Sequence, residues 1–297
     1  MSQIGKAIRK FRLESNMSQM DIAKRLGISQ AHVSRLEKGN FEVPPHLFVK
    51  IQRLLRLPIE SHKFSLAIAS ESNWRISYFS YPEKSSGDKV RVNTKASQDK
   101  VWLLHCDAVG SDNFAIKDAN YLEVSFDTVI NSIPHIGLSP EAVYMAVNKT
   151  IRSSVELWRG EPSGNIVSLT KGSDRLDFIN AGMPTPLCYD GKKTSVIKVQ
   201  SGNKPIPPIG QAANKESFTS KSICMKKEDV MFFFSDGFEE LYKQISRVPL
   251  EILIETFCKI QKGDVEGIGS KILKTIEEQL AHKRIEDDFS FALVSLI

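Results

Sequence analysis

The stretch "DVMFFFSDGFEEL", residues 229–241, limits the possible folds more than any other part of the sequence. Its apolar run Val230–Phe234 is short, rich in β-forming residues and apolar on both faces, which predicts a buried strand. Asp236 follows at the strand end, and Gly237 allows a sharp turn or a close approach. A carboxylate there is either the N-cap of a helix over "FEELYKQI" or needs a cation, a hydrogen-bond donor or a metal as partner.

Aspartates stand at the ends of other predicted strands as well. The apolar strand "KVWLLHCDAV" ends at Asp107, Asp287 and its neighbour precede the last strand, "DFSFALVSL", and Asp88 starts "DKVRV" after a glycine turn. Asp88 alone can also be read as a turn residue. Clustered carboxylates repel one another unless cations lie between them, so the four aspartates predict an oxygen-rich site suited to Mg²⁺ or Mn²⁺.

From Trp74 onward, predicted strands joined by short turns are interrupted by helices in pairs. We expect these helices at about 113–132, 139–155, 248–260 and 264–283. Such an order predicts an α+β domain of antiparallel sheets covered by helices.

The first sixty residues instead predict short helices. "SQMDIAKRLG" has Ser18 as N-cap with Asp21 completing a capping box, and Gly27 ends it. "SQAHVSRLEKG" begins at Ser29, and the four-residue turn "LGIS" joins the two into a helix-turn-helix unit. A further amphipathic helix is expected over "PPHLFVKIQRLLRL".

The basic charge is concentrated in this segment. Residues 1–60 contain 11 Lys and Arg against 5 Asp and Glu, whereas the remaining residues contain 29 against 30. A local excess of positive charge predicts a polyanionic partner for the N-terminal segment.

Two further features concern the compartment. The four cysteines have no paired spacing, which argues against a disulfide framework or a zinc site. No apolar run has the length of a membrane span and no signal-peptide pattern is present. We therefore expect a cytoplasmic protein with no membrane partner.

The segment "MSQMDIAKRLGISQAHVSRLEKGN" resembles the DNA-binding domain of the Xre/Cro-repressor family, over residues 4 to about 58. The resemblance implies binding to double-stranded DNA, normally as a homodimer, with the second helix of the motif in the major groove. The residues that it places at the DNA are Gln19, Gln30, Ala31, His32, Ser34, Arg35 and Lys38. A helical interaction domain that binds no DNA is the alternative, and His32 can be an exposed histidine without a partner.

Five blocks in the rest of the chain carry a second resemblance: "SGD", "CDAVG", "FINAGMPTP", "FFFSDGFEE" and "EDDFSFALV". In this order they resemble the metal-dependent serine/threonine phosphatases of the protein phosphatase 2C class, in particular the SpoIIE-like branch. The resemblance covers about 74–297 and implies an αββα sandwich with two Mn²⁺ or Mg²⁺ ions at one edge. Its implied substrate is a phosphorylated regulatory protein.

The resemblance also implies a role for each residue. Asp107 would bridge both ions, and the carbonyl of Ala108 and the carboxylate of Asp88 would hold one of them. Asp236 and Asp287 would hold the other. The ions would activate a shared water for attack on phosphorus, with Asp107 and Asp236 as the catalytic carboxylates.

The chain departs from the family pattern close to this site. Ala108 stands where the family has Gly, Ser111-Asp112 replaces its flexible glycine, and Met183 replaces its His. Lys84 and Arg75 are the candidates by position for binding phosphate. Two functions therefore stay open: a DNA-tethered phosphatase, or a repressor whose inactive phosphatase-like domain is a sensor or docking module.

The predicted organisation has three parts. A helix-turn-helix domain occupies 1–58, a linker helix 59–73 and the phosphatase-like domain 74–297. The linker helix is a candidate for the dimer contact.

Overall fold

The structure, a computed structural model, divides the chain into two compact units, Met1–Lys63 and Phe64–Ile297. It describes residues 3–15, 17–38, 47, 51, 54, 64–82, 87–108, 113–132, 138–153, 162–201, 205–213, 217–280, 285 and 287–297.

The described part of the first unit contains the helices α1 Gln3–Glu14, α2 Gln19–Leu26 and α3 Gln30–Lys38. The predicted capping box forms: Ser18 Oγ accepts the N–H of Asp21 at 3.2 Å, and the N–H of Ser18 donates to Asp21 Oδ2 at 2.8 Å. Gly27 ends α2 in the left-handed region with a φ of 67°. The predicted all-α helix-turn-helix unit is confirmed.

The helices of this unit enclose a small apolar core. The core residues are Ile8, Ile22, Ala23, Leu26, Val33, Leu36, Leu47 and Ile51. The further helix predicted over "PPHLFVKIQRLLRL" lies outside the described residues except at Leu47, Ile51 and Leu54, which pack into or against this core.

The second unit contains eleven strands and five helices within its described residues. The strands are β1 Ala67–Glu71, β2 Trp74–Tyr81, β3 Asp88–Asn93, β4 Lys100–Asp107, β5 Ser163–Thr170, β6 Arg175–Ala181, β7 Leu187–Asp190, β8 Ser195–Lys198, β9 Lys221–Cys224, β10 Val230–Phe234 and β11 Phe289–Leu296. The helices are α4 Asn113–Ser132, α5 Pro140–Arg152, α6 Asp236–Ile245, α7 Leu250–Gln261 and α8 Val265–Leu280.

These strands form two sheets in which all the paired strands are antiparallel. One has the order β1-β2-β11-β10-β7-β8 and the other the order β3-β4-β5-β6-β9. An apolar layer that includes Trp74, Leu103, Val167 and Phe233 fills the space between the sheets. Helices α6, α7 and α8 cover the outer face of the first sheet, and α4 and α5 cover that of the second. The predicted αββα sandwich is confirmed.

The apolar strand β10 is in the centre of its sheet. It pairs with β11 on one side and with β7 on the other. All five of its residues are buried, and Phe232 packs toward the helices while Phe233 packs between the sheets. Both faces of β10 are therefore covered, as its uninterrupted apolar run predicts.

The linker helix predicted over 59–73 does not form in its described part. Ala67–Glu71 is strand β1, paired with β2 across a tight turn at Ser72-Asn73, where Ser72 has a φ of 57°. Residues 59–63 lie outside the described residues. Pairing with the edge of a formed sheet decides the structure of this segment, which its sequence alone does not. Within the described residues, no helix is long and apolar enough to cross a membrane.

Candidate active site

Two of the predicted aspartates face each other on neighbouring strands. Asp88 begins β3 and Asp107 ends β4, and the antiparallel register makes them direct partners. Asp88 is buried with 2% of its surface exposed, and Asp107 is half-buried. Because directly opposed side chains point to the same face of a sheet, both carboxyls lie at one edge of the space between the sheets.

Asp236 joins this pair from the other sheet. It is the first residue of α6, directly after β10, and its carboxylate accepts the N–H of Gly237 at 2.7 Å. The carboxyl group of Asp107 lies within hydrogen-bonding reach of those of both Asp88 and Asp236. The structure thus brings Asp88, Asp107 and Asp236 together from two sheets. We refer to these three residues as the carboxyl cluster.

Burial and mutual repulsion both act on two members of this cluster, Asp88 and Asp107. The pKa of Asp107 is raised by burial and then by the negative charges of Asp88 and Asp236. The pKa of Asp88 is also raised, by burial first, while hydrogen bonds from Ser235 and Ser290 act in the opposite direction. Carboxyls so close together share protons or require a cation.

A buried polar network, which the strand pattern of the sequence does not reveal, supports Asp88. Ser290 Oγ donates to Asp88 Oδ2 at 2.9 Å and lies 2.7 Å from Nε2 of His105. His105 is fully buried, and burial lowers its pKa to about 3, so its ring is neutral. Ser235 Oγ accepts the N–H of Ser290 at 3.0 Å. These side chains fix the position of the innermost carboxyl group of the cluster.

Gly237 has a steric role. A Cβ at this position would overlap the backbone carbonyl oxygen of Asp288. The turn from β10 into α6 therefore packs directly against the segment that leads into β11. Glycine at 237 allows the close approach that the sequence suggested. Its contact with Asp288 fixes the position of the turn that carries Asp236 relative to Asp288.

The fourth predicted aspartate, Asp287, occupies a different position from the other three. It is exposed, and its Oδ1 accepts the N–H of Asp288 at 2.9 Å. Its neighbour Asp288 lies nearer the cluster: Oδ2 of Asp288 accepts the N–H of Gly87 at 2.7 Å, and its charge contributes to the raised pKa of Asp88. A ligand role for Asp287 stays a prediction, and Asp288 is a residue that the strand pattern did not single out.

The departures from the family pattern have structural counterparts. Ala108 is 2% exposed and packs with Ala115 and Ala119 of α4, so its methyl group is accommodated by small neighbours. Its N–H donates to Gly87 O at 3.1 Å. Met183 is buried with 7% of its surface exposed. Ser111 and Asp112 lie outside the described residues.

The structure does not support Arg75 as a phosphate-binding residue. In β2 it pairs with Ser295, at the end of the sheet opposite to Tyr81 and Phe289, which adjoin the carboxyl cluster. Its guanidinium contacts Asp264 at 3.9 Å. Lys84 lies outside the described residues.

The donor set suits a hard divalent cation, since all its members are carboxyl oxygens. In the described part of the chain, however, no group of three or more His, Cys, Asp or Glu side chains is arranged to hold a metal ion. The three carboxyls of the cluster are nevertheless close enough to interact with one another. The chemistry of the cluster therefore fits Mg²⁺ or Mn²⁺, and a bound cation would take over the role of the shared protons.

The second helix of the helix-turn-helix motif presents a polar face. Gln30, Ala31, Arg35 and Lys38 are exposed, and His32 and Ser34 are half-buried. His32 Nδ1 lies 2.7 Å from Ser29 Oγ, and Arg35 Nε donates to Ala31 O at 3.4 Å. The spacing of the exposed residues places them along one side of α3.

Gln19 links α2 to α3. Its side-chain amide donates to Glu37 Oε2 at 2.9 Å, and its carbonyl accepts from Gln30 at 3.1 Å. Glu37 is 5% exposed and is also bound by Arg12, whose Nε lies 2.6 Å from Oε1. Gln19 therefore holds Gln30 in place, and its predicted phosphate contact is untested.

Comparisons with known proteins agree with this architecture. The family model described as stage II sporulation protein E (SpoIIE) matches residues 97–296, and the model described as helix-turn-helix matches residues 8–61. A comparison with curated protein sequences finds no significant match.

Several solved structures share the fold of the second unit at low sequence identity. The RsbU and RsbW domains of Rv1364c from Mycobacterium tuberculosis are 19% identical with a TM-score of 0.58, covering 75% of this chain and 60% of that one. The phosphatase domain of SpoIIE from Bacillus subtilis, solved with a fragment of its regulatory domain, is 16% identical with a TM-score of 0.56, covering 86% and 77%. RsbX in complex with magnesium is 13% identical with a TM-score of 0.56, covering 78% and 100%.

The SpoIIE match spans most of the second unit, including β4, β10 and β11, whose ends meet at the carboxyl cluster. The helix-turn-helix match spans α2 and α3. The chain therefore belongs to the SpoIIE family and carries a helix-turn-helix domain ahead of its protein phosphatase 2C-like domain.

Proposed function

We propose that this chain is a DNA-binding regulator whose SpoIIE-type domain is a metal-dependent protein phosphatase acting on phosphoserine or phosphothreonine. One observation carries the enzymatic part: Asp88, Asp107 and Asp236, 148 residues apart from first to last in the sequence, lie close together at one edge of the sandwich. A structural role alone gives no reason to gather three carboxyls that repel one another.

The residues of this chain would divide the work of holding Mg²⁺ or Mn²⁺. Asp107 lies between Asp88 and Asp236 and is the carboxylate that could serve two ions. Asp236 is exposed, so it is the member of the cluster most accessible to a substrate from solvent. When bound, the ions supply a polarised water of lowered pKa and neutralise charge on the phosphoryl group. A structure of RsbX, which shares the fold, is described as a complex with magnesium.

The surrounding residues keep the carboxylates in position. Ser290 donates to Asp88 Oδ2, Ser235 accepts the N–H of Ser290, and neutral His105 adds no charge to the site. β10 is buried along its whole length and therefore gives Asp236 a rigid support. Such preorganisation is what positions a nucleophile and a phosphoryl group for in-line displacement.

The N-terminal unit supports the DNA-binding part of the proposal. Its exposed α3 face and the basic excess of residues 1–60 suit the phosphate backbone and the base edges of duplex DNA. Binding as a homodimer to a two-fold site is the usual arrangement for this motif.

A second candidate function keeps the DNA binding and lacks turnover. The observation that favours it is that Ala108 and Met183 replace the Gly and His of the family pattern close to the carboxyl cluster. On this alternative the second unit is an inactive sensor or docking module.

Phosphate release with Mn²⁺ separates the two functions. The purified chain is assayed with p-nitrophenyl phosphate and with phosphoserine proteins, beside the variant Asp236→Asn. We expect hydrolysis by the native chain and a loss of about two orders of magnitude in the variant, since it removes one charged ligand. Absence of turnover in the native chain over all Mn²⁺ concentrations would refute the phosphatase proposal.

A further inference from the structure

A cleft of about 510 Å³ runs beside α6, the helix whose first residue, Asp236, belongs to the carboxyl cluster. The residues that matter for its chemistry are Phe234, Pro184, Glu239, Tyr242, Arg247 and Val248. Phe234 comes two residues before Asp236, and Pro184 belongs to the "FINAGMPTP" block, which contributes no residue to the carboxyl cluster. We call this feature the α6 cleft.

The cleft follows α6 away from the cluster. Glu239, Tyr242 and Ser246 lie three or four residues apart and so line one side of the helix. α6 has ten residues and is therefore about 15 Å long. An extended peptide of about five residues covers the same distance at roughly 3.3 Å per residue.

The described lining of the cleft has three basic side chains and two acidic ones, and one of the basic side chains has no acidic partner there. Lys243 pairs with Glu239 at 2.9 Å, and Lys198 pairs with Glu251 at 3.1 Å. Among the residues that the structure describes, Arg247 has no ion-pair partner and is exposed at the far end of the cleft. An acidic group would complement it.

The uncharged part of the lining combines apolar side chains with the hydroxyl-bearing side chains of Thr185, Tyr242 and Ser246. Phe234 is 4% exposed, whereas Val248 is 47% exposed and open to a ligand. Tyr242 is 3% exposed, and its hydroxyl has no hydrogen-bond partner within the described part of the chain. Because this hydroxyl is itself buried, it is not counted among the groups that contact a bound segment, whereas Val248 and Arg247 are exposed groups of the cleft.

We propose that the α6 cleft binds the polypeptide segment that flanks the phosphorylated residue of the substrate protein. The segment would be extended, with an apolar side chain along the cleft and an Asp or Glu near Arg247, four to six residues from the phosphorylated residue. This inference rests on the proposed function, because it takes the carboxyl cluster as the place where phosphate is cleaved.

The test uses thirteen-residue peptides with a central phosphoserine. Each peptide has one leucine midway between the phosphoserine and either end. A single Glu or Lys is placed at each position from −6 to +6. For the native chain with Mn²⁺, kcat/KM should favour Glu over Lys about threefold to fivefold at one position four to six residues from the phosphoserine, the range of an exposed ion pair. Arg247→Glu should invert that preference, so that the Lys peptide becomes the better substrate.

Two further variants control for general effects. Lys274→Glu makes the same charge change on α8, outside the cleft, and should keep the native preference for Glu. Tyr242→Phe removes only a buried hydroxyl without a partner in the described part of the chain from the cleft wall, so it should keep the native preference for Glu and leave the melting temperature unchanged or higher. Each peptide rate is divided by the rate of the same variant on p-nitrophenyl phosphate.

The possible results distinguish a failure of the phosphatase proposal from a failure of the cleft proposal. If p-nitrophenyl phosphate and the peptides are not hydrolysed, the phosphatase proposal fails, and fluorescence anisotropy of the labelled peptides still measures the Glu preference and its inversion. If native and Arg247→Glu chains show the same ranking of Glu and Lys peptides in both rate and binding, the cleft proposal is wrong. A small anion as the true occupant would give that second result.

Discussion

At the scale of single residues, Gly237 has the most constrained backbone environment near the site. A Cβ there would overlap the carbonyl oxygen of Asp288, and backbone cannot move aside as a flexible side chain can. We expect Gly237→Ala to lower the free energy of unfolding by about 1–3 kcal/mol, the usual cost of overpacking, and to displace Asp288 and Asp236.

Urea unfolding and the response of the melting temperature to Mn²⁺ measure both effects. Gly172→Ala is the matched control, because Gly172 has a φ of 70° but nothing within 4 Å of an added Cβ. It should cost about 1 kcal/mol for the left-handed backbone and leave the metal response intact. Equal behaviour of the two variants would contradict the steric role of Gly237.

Glu37 is the corresponding residue in the first unit. Burial raises its pKa, but hydrogen bonds from Arg12 and Gln19 outweigh burial and leave the pKa below its ordinary value. A lowered pKa in the folded state means that Glu37 stabilises the fold above its unfolded pKa, and that this contribution disappears as the pH falls through the folded pKa. We expect Glu37→Gln to destabilise α1–α3 by about 2 kcal/mol at pH 6.

The difference from the native chain should shrink below about pH 4, where the unfolded carboxyl is protonated. Urea titrations followed by the NMR amide signals of α2 and α3 report this unit within the full chain. Glu14→Gln, at an exposed glutamate 3.8 Å from Lys10, should have almost no effect. A destabilisation by Glu37→Gln that is the same at pH 3 and pH 6 would show that the ion pair is not its cause.

The three residues of the carboxyl cluster could be predicted from the sequence, but the choice between Asp287 and Asp288 as a fourth member could not. Asp88, Asp107 and Asp236 could be predicted because each ends or begins an apolar strand and antiparallel strands bring such ends to one edge. Asp287 and Asp288 are adjacent in the sequence, so strand pattern cannot separate them. The packing of Gly237 against Asp288 is a tertiary contact that no local pattern encodes.

At the scale of elements, the junction of β10 and α6 joins the two halves of the site. Ser235 is fully buried and is the N-cap of α6, its Oγ accepting the N–H of Phe238 at 3.4 Å. The same oxygen accepts the N–H of Ser290 at 3.0 Å. We expect Ser235→Ala to cost about 2–4 kcal/mol, because it removes a cap and leaves a buried N–H without a partner.

Ser139→Ala is the matched control for the cap alone. Ser139 is the N-cap of α5, where its Oγ accepts the N–H of Ala142 at 3.4 Å in an exposed setting. Its loss should cost about 1 kcal/mol in urea unfolding. If the two serine variants lower the free energy of unfolding equally, the hydrogen bond between Ser235 and Ser290 of β11 does not contribute to stability.

Most elements could be predicted from their own sequences, and β1 could not. Strands such as β4 and β10 are apolar throughout, and the helices have clear starts, so local pattern and tertiary structure agree. Ala67–Glu71 contains alanine and serine with a single β-branched residue, Ile68, and local propensity favours no strand there. Only the exposed edge of β2 makes it one.

At the scale of the whole molecule, the basic segment should make DNA affinity depend on salt. A helix-turn-helix unit that neutralises phosphates with Lys and Arg releases condensed cations from DNA, so affinity falls linearly on a log–log plot against salt. We expect fluorescence anisotropy with duplex DNA to show that affinity falls at least tenfold between 50 and 200 mM salt.

Arg35→Ala should weaken binding to a specific DNA site by about 1–3 kcal/mol. Absent or salt-independent binding would refute the DNA-binding proposal.

Metal binding connects stability with function in the second unit. Asp88, Asp107 and Asp236 repel one another without a cation, and metal bound only by the folded chain stabilises it by about 2.7 kcal/mol at a hundred times its dissociation constant. We therefore expect Mn²⁺ to raise the melting temperature of the native chain in a saturable way. Asp236→Asn should reduce this rise, since it removes one charged oxygen with almost no change in shape.

The relation between the two titrations decides between the candidate functions. If the chain is a phosphatase, turnover should appear over the same range of Mn²⁺ concentration as the rise in melting temperature, and Asp236→Asn should shift both together. A saturable rise without hydrolysis of any phosphopeptide would identify a metal-dependent sensor, because the carboxyl cluster would then bind the ion without activating water. If Mn²⁺ changes neither quantity, the cluster is held by its shared protons alone, and the metal proposal is wrong.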